Sequence, residues 1–155
     1  MNIDQKYMQQ ALTLARQGDG HVSPNPMVGC VIVKDGQVIA EGWHKQYGQA
    51  HAERDAVDNM EDPSLLQDST VYVNLEPCSH YGKTPPCCEL LILKKVKRVV
   101  IANIDPNPLV NGLGIRKMQE AGIEVEVGIL EEEGRQLNHD FFQRMEHKQN
   151  KETVN

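Results

Sequence analysis

One histidine, one glutamate and two cysteines stand at spacings that could do chemistry. His51-Ala52-Glu53 is followed by Pro77-Cys78, and eight residues, Ser79 through Pro86, then separate Cys78 from Cys87. An imidazole and two thiolates make three zinc ligands and leave the fourth tetrahedral position open to water. Zinc lowers the pKa of bound water to about 7, so a nucleophile exists at neutral pH. Glu53 is placed to shuttle that water's proton. A carboxylate that acts first as base and then as acid needs a pKa above that of an exposed glutamate, and a closed pocket produces that shift.

Each part alone has a plainer reading. His-x-Glu is common on surfaces, two cysteines nine positions apart are often buried thiols, and Glu76 reads equally as a strand end. A structural zinc site would need a fourth protein ligand, for which His80 is the candidate. The combination favours catalysis: His-x-Glu opens a helix, a strand ends in Glu-Pro-Cys, and Cys87 opens the next helix after Pro86. Two helix N-termini then face the ligands and favour negative charge there. Cys30 sits in the apolar run Met27–Val33 as a small core residue. Cys88 remains open, either a substitute ligand or a thiol turned away from Cys87.

The elements that must position these groups follow from periodicity. Asp4–Gln17 reads as an amphipathic helix stopped by Gly18-Asp19-Gly20. Val28–Val33 and Gln37–Glu41 flank Asp35-Gly36, a hairpin signal. Ala52–Met60 is helical and closed off by Pro63. Strand Ser69–Leu75, helix Cys87–Lys94, strand Val99–Ala102, helix Gly112–Ala121 and strand Glu124–Val127 follow. A final helix runs from Glu131 to about Glu146 with Leu137, Phe141, Phe142 and Met145 facing the core, and the polar residues from His147 to Asn155 should fray. Alternation of this kind predicts helices on both faces of a mixed sheet, in one domain over residues 1–146 with a tail at 147–155.

A net charge of −6 argues against a nucleic-acid backbone as partner. The basic cluster Lys94, Lys95, Lys97 and Arg98 reads as helix-end charge. No apolar run suits a membrane span and the N-terminus lacks a secretory pattern, so the expected location is the cytoplasm. Four cysteines in a reducing compartment are not expected to form disulfides.

His-x-Glu…Pro-Cys…Cys is similar to the signature of zinc-dependent nucleobase deaminases. Cytidine and tRNA adenosine deaminases typically have only two residues between their cysteines. The longer insert resembles the deaminase domain of the riboflavin biosynthesis family RibD (RibG). The resemblance rests on Ser23-Pro24-Asn25-Pro26-Met27-Val28-Gly29-Cys30, Glu41-Gly42-Trp43-His44, His51-Ala52-Glu53 and Leu75 through Cys87. It extends to Asp105-Pro106-Asn107-Pro108-Leu109-Val110, Gly112-Leu113-Gly114 and Leu137-Asn138, and so covers residues 4 to 146.

The resemblance implies a cytidine-deaminase-like three-layer α/β/α sandwich with a mixed five-stranded sheet. It implies zinc held by His51, Cys78 and Cys87, with Glu53 as proton shuttle. The implied substrate is 2,5-diamino-6-ribosylamino-4(3H)-pyrimidinone 5′-phosphate, whose 2-amino group is exchanged for oxygen. Asn25 and His44 would meet the pyrimidine, His80 and Lys83 the base and phosphate, and Asp105 and Asn107 the ribose hydroxyls. Asn25, Asp105 and Asn107 are also turn formers for local reasons. The family implies a homo-oligomer. Its members usually continue into an NADPH-dependent reductase domain, and no such domain is expected within these 155 residues. The expectation is a separately encoded reductase, a cut chain or another role. A deaminase of a related aminopyrimidine or nucleoside, and a non-catalytic zinc-stabilised module, are the alternatives.

Overall fold

Asp35 and Gly36 both take left-handed backbone angles (φ 51° and 77°), as a tight two-residue hairpin requires. In this computed structural model, which describes residues 1–81 and 84–154, they join β1 (Gly29–Lys34) to β2 (Gln37–Trp43). The other strands are β3 (Thr70–Leu75), β4 (Arg98–Asn103) and β5 (Glu124–Val127), in the order β2-β1-β3-β4-β5. β1 runs antiparallel to both neighbours, and β3, β4 and β5 are parallel. The sheet is therefore mixed and five-stranded, as expected.

Strand alternation divides the core in two. Cys30, Ile32, Val71, Val73, Val99 and Ile101 face one layer of helices. That layer is α2 (Ala52–Asp58), α3 (Cys87–Leu93) and α4 (Leu113–Glu120). Val31, Val33, Tyr72, Val100 and Ala102 face α1 (Ile3–Arg16), which packs Tyr7, Met8, Ala11 and Leu12 on them. Asn2 caps α1 by accepting the Gln5 N–H while the Gln5 side chain accepts from Asn2, which satisfies two otherwise orphaned donors. α5 (Glu131–Leu137) adds Leu137 to this second layer. No helix among the described residues is long and apolar enough to cross a membrane.

The sequence departs from its structure at the far end. One helix was expected from Glu131 to about Glu146, but α5 ends at Leu137 and α6 (His139–Val154) begins after Asn138. Asn138 leaves the helical region (φ −113°, ψ 37°) because its side chain is engaged elsewhere. From His147 to Val154 the polar stretch expected to fray continues α6; it contains good helix formers and no Gly or Pro. The basic cluster also divides. Lys94 closes α3, whereas Arg98 lies in β4 and pairs with Asp4, Glu124 and Glu126.

Because β1 opposes β3, the segment before β1, the segment after β2 and the segments after β3 and β4 converge on one edge of the sheet. Ligands of open α/β sheets bind at the carboxyl ends of strands. Every candidate site residue among the described residues falls on those segments or on the helices they open.

Candidate active site

α2 lies directly on β2. A Cβ on Gly42 would come within 2.4 Å of the Ala56 nitrogen and 2.7 Å of the Ala52 oxygen, so only glycine permits the approach. This contact holds the start of α2 at the site edge, with His51 as its N-cap and Glu53 buried in its first turn. Cys78 follows β3 by three residues, and Cys87 opens α3. Backbone N–H groups lock the two together. Cys87 donates to Cys78 Sγ at 3.1 Å and Cys88 donates to the Cys78 carbonyl oxygen at 3.1 Å.

The donor atoms of His51, Cys78 and Cys87 lie within 4.8 Å of one another, the one such group among the described residues. Cys87 Sγ is 3.6 Å from His51 Nδ1. One nitrogen and two sulfurs are a donor set that suits zinc. His80 stands outside the group and is exposed, so the four-ligand structural site does not form among these residues. Cys88 also stands outside it, buried, with burial pushing its thiol up to about 11. Cys30 is fully buried in the core, and its thiol is likewise raised by burial.

The hydrogen bond from Cys87 holds the Cys78 thiol down at about 4, with His51 acting in the same direction against the cost of burial. Cys87 is pushed up because it shares its proton with Cys78. One of the two sulfurs is thus a ready thiolate. His51 is raised chiefly by its hydrogen bond with Cys78. Burial lifts the Glu53 carboxyl to about 7.

A cavity of about 240 Å³ brings Glu53, His51 and Cys78 together with Asn25, His44, His80, Asp105 and Asn107. Lys83 lies outside the described residues. His44 is buried, its Nδ1 3.0 Å from the Ala50 carbonyl oxygen and its Nε2 3.2 Å from Asn25 Nδ2. A carbonyl can only accept, so these partners assign the proton to Nδ1 and leave Nε2 to accept from the Asn25 amide. Burial lowers the His44 pKa, which favours the uncharged ring. Asp105 is raised, also by burial. Asp105 Oδ1 accepts the Asn107 N–H at 2.9 Å and Asn107 Oδ1 the Leu109 N–H at 3.1 Å. Both residues line the cavity and build the turn.

Sequence reasoning missed three supports. Glu76, read as a strand end, is 3% exposed. Its oxygens accept the N–H groups of Asp105 (3.1 Å), Gly112 (3.0 Å), Gly114 (2.9 Å) and Ile115 (3.3 Å). Asn74 accepts the Gly29 N–H at 2.8 Å and donates to the Met27 carbonyl oxygen at 3.1 Å. Phe141, expected in the core, is half-buried and lines the cavity instead. The one available signal was an acidic residue directly after an apolar strand.

Residues 1–103 match the cytidine and deoxycytidylate deaminase zinc-binding region. A diaminohydroxyphosphoribosylamino-pyrimidine deaminase of Buchnera aphidicola subsp. Schizaphis graminum is 44% identical over 142 residues, covering 92% of this chain and 95% of that protein. The chain belongs to this deaminase family, in its RibD branch. The riboflavin biosynthesis protein RibD of Aquifex aeolicus is 49% identical over 140 residues, which are 90% of this chain and 39% of that one. A solved Thermotoga maritima structure, named as a diaminohydroxyphosphoribosylaminopyrimidine deaminase/5-amino-6-(5-phosphoribosylamino)uracil reductase, superposes with a TM-score of 0.88 at 46% identity. It is covered to 42% by 94% of this chain. The chain therefore spans about two-fifths of the length of these longer family members.

Proposed function

We propose that this RibD-branch domain is a zinc-dependent hydrolase that deaminates 2,5-diamino-6-ribosylamino-4(3H)-pyrimidinone 5′-phosphate. The products are 5-amino-6-ribosylamino-uracil 5′-phosphate and ammonia. The observation that carries this reading is a buried glutamate, lifted to about 7, in one cavity with a histidine and a cysteine of the ligand group. The full-length likeness to a protein named for that deaminase supports the substrate.

His51, Cys78 and Cys87 would hold the metal. When bound, zinc supplies a water-derived nucleophile near neutral pH. Glu53 takes the water proton and delivers it to the ring nitrogen beside the amine-bearing carbon. It then takes the second proton from the new hydroxyl on that carbon and gives it to the departing amino group, so that the C–N bond breaks, ammonia leaves and the C–O bond becomes the carbonyl. A carboxyl near 7 can play both parts at neutral pH. Neutral His44 and Asn25 orient the polar edge of the pyrimidine. His80 and Lys83 contact the base and the phosphate, a lysine serving as a point-charge partner. Asp105 and Asn107 hold the ribose hydroxyls. In this reading the deaminase unit is residues 1–146, it is cytoplasmic and assembles as a homo-oligomer, and its product passes to a reductase fused to it or encoded separately. The reductase in the Thermotoga maritima protein's name supports that last element.

The test is freshly made substrate incubated with the zinc-loaded chain, read by ammonia release and mass spectrometry. Glu53→Ala should keep its zinc and lose about 100- to 10,000-fold in rate. Turnover of another aminopyrimidine but not this one would overturn the substrate. Full activity in Glu53→Ala would overturn the catalytic role.

A further inference from the structure

One wall of the cavity comes from outside the zinc-binding region. That region ends at residue 103, whereas Phe141 reaches the cavity from the first turn of α6. Two adjacent aromatics divide the work. Phe142 is 4% exposed and anchors the helix, with Arg135 stacked 5.0 Å from its ring centroid. Phe141 packs edge-on to it, centroids 5.9 Å apart, and stays half-buried. A large ring left partly in water forgoes burial unless a ligand covers it.

The start of α6 is fixed against the substrate side. Asn138 Oδ1 accepts the Met27 N–H at 2.7 Å and its Nδ2 donates to the Met27 carbonyl oxygen at 2.8 Å. Arg144 donates to the Pro24 carbonyl oxygen at 3.0 Å. These bonds grip the chain on both sides of Asn25, so Asn25 and Phe141 are held as a pair. Both also line the groove next to the cavity, which contains none of the metal ligands. Phe141 therefore lies where the cavity meets a groove without metal ligands, while Asn25 reaches inward to His44 Nε2 at 3.2 Å.

We propose that Phe141 is a specificity-determining residue whose ring packs on the ribosylamino side of the pyrimidine substrate. This rests on the function proposed above. With the amine-bearing carbon at the metal end, the substituted side of the heterocycle must point to the mouth, where an apolar ring covers the sugar's C–H face and the base edge. Free aminopyrimidines would not reach it.

The experiment is steady-state kinetics on the ribosylaminopyrimidine phosphate, with product binding by calorimetry, for wild type, Phe141→Ala, Phe141→Leu and Phe141→Tyr. Zinc content and thermal midpoint are measured on each. Phe141→Ala should raise KM and the product Kd about 10- to 100-fold with kcat and zinc content nearly unchanged, as loss of one apolar contact predicts. Phe141→Tyr should stay near wild type and Phe141→Leu fall between. If Phe141→Ala does not fold, Phe141→Leu decides: wild-type KM and Kd in it overturn the inference. Active wild type with an unaltered KM in Phe141→Ala overturns this inference alone. A wild-type chain that leaves the substrate intact overturns the proposed function and this inference with it.

Discussion

The Gly114 N–H donates to Glu76 Oε2 at 2.9 Å, and a side-chain carbon on Gly114 would come within 2.3 Å of the Pro77 carbonyl oxygen. α4 thus begins in contact with the strand end that leads into Cys78. The same carboxylate holds the Asp105 N–H, so one buried acid ties the loop carrying Asp105 and Asn107 to the metal side.

Substitution at either end of that contact should loosen the loop. Glu76→Gln replaces an acceptor by an amide whose NH2 must face N–H donors, and should cost roughly 2–3 kcal/mol through unpaired buried groups. Gly114→Ala must displace backbone and should destabilise comparably. Urea midpoints measure both, and a wild-type midpoint in Glu76→Gln would refute the tie.

The two adjacent cysteines should behave oppositely. Cys87→Ser should lose bound zinc and fall in thermal midpoint, because metal binding adds to folding free energy. Cys88→Ser should keep its zinc, since Cys88 lies outside the ligand group. Removing the metal with a chelator should lower the midpoint of wild type and of Cys88→Ser alike. Metal analysis of purified variants checks the pair, and equal zinc loss in both would defeat the assignment.

A pH dependence follows from α1. Arg98 donates to Asp4 at 2.9 and 2.8 Å, and the Tyr72 hydroxyl donates to Asp4 at 2.7 Å; the Arg98 hydrogen bonds hold the Asp4 carboxyl below its ordinary 3.8. A carboxyl depressed in the folded state stabilises above its unfolded pKa and loses that contribution as pH falls through the folded value. Asp4→Asn should therefore cost about 1–2 kcal/mol at neutral pH. The gap to wild type should close below pH 3.8. Denaturant titrations across that range would expose a gap that does not close.

What was legible in the sequence was local. The hairpin followed from Asp35-Gly36, and the grouping of His51, Cys78 and Cys87 from a helix start and a strand-turn-helix in which the two cysteines flank one insert. The two core layers followed from the alternation of strands with helices, which predicted helices on both faces of the sheet. Glu76 was not legible because its donors lie 29 to 39 residues ahead. Phe141 misled for a different reason: a 3.6-residue period is the same whether a helix face meets the core or a cavity. The break at Asn138 carries no Gly or Pro, and its cause is a contact with Met27, 111 residues earlier.

That long contact orders events in time. His51, Cys78 and Cys87 are all translated before the segment that carries Asn138 and Phe141. Closing a loop of 111 residues is also an entropically late step. On the proposed function, a growing chain would carry all three candidate metal donors before the segment that brings Phe141 to the cavity. Acquisition of the ion and competence for turnover would then be separate milestones, the second waiting for the last helix to dock.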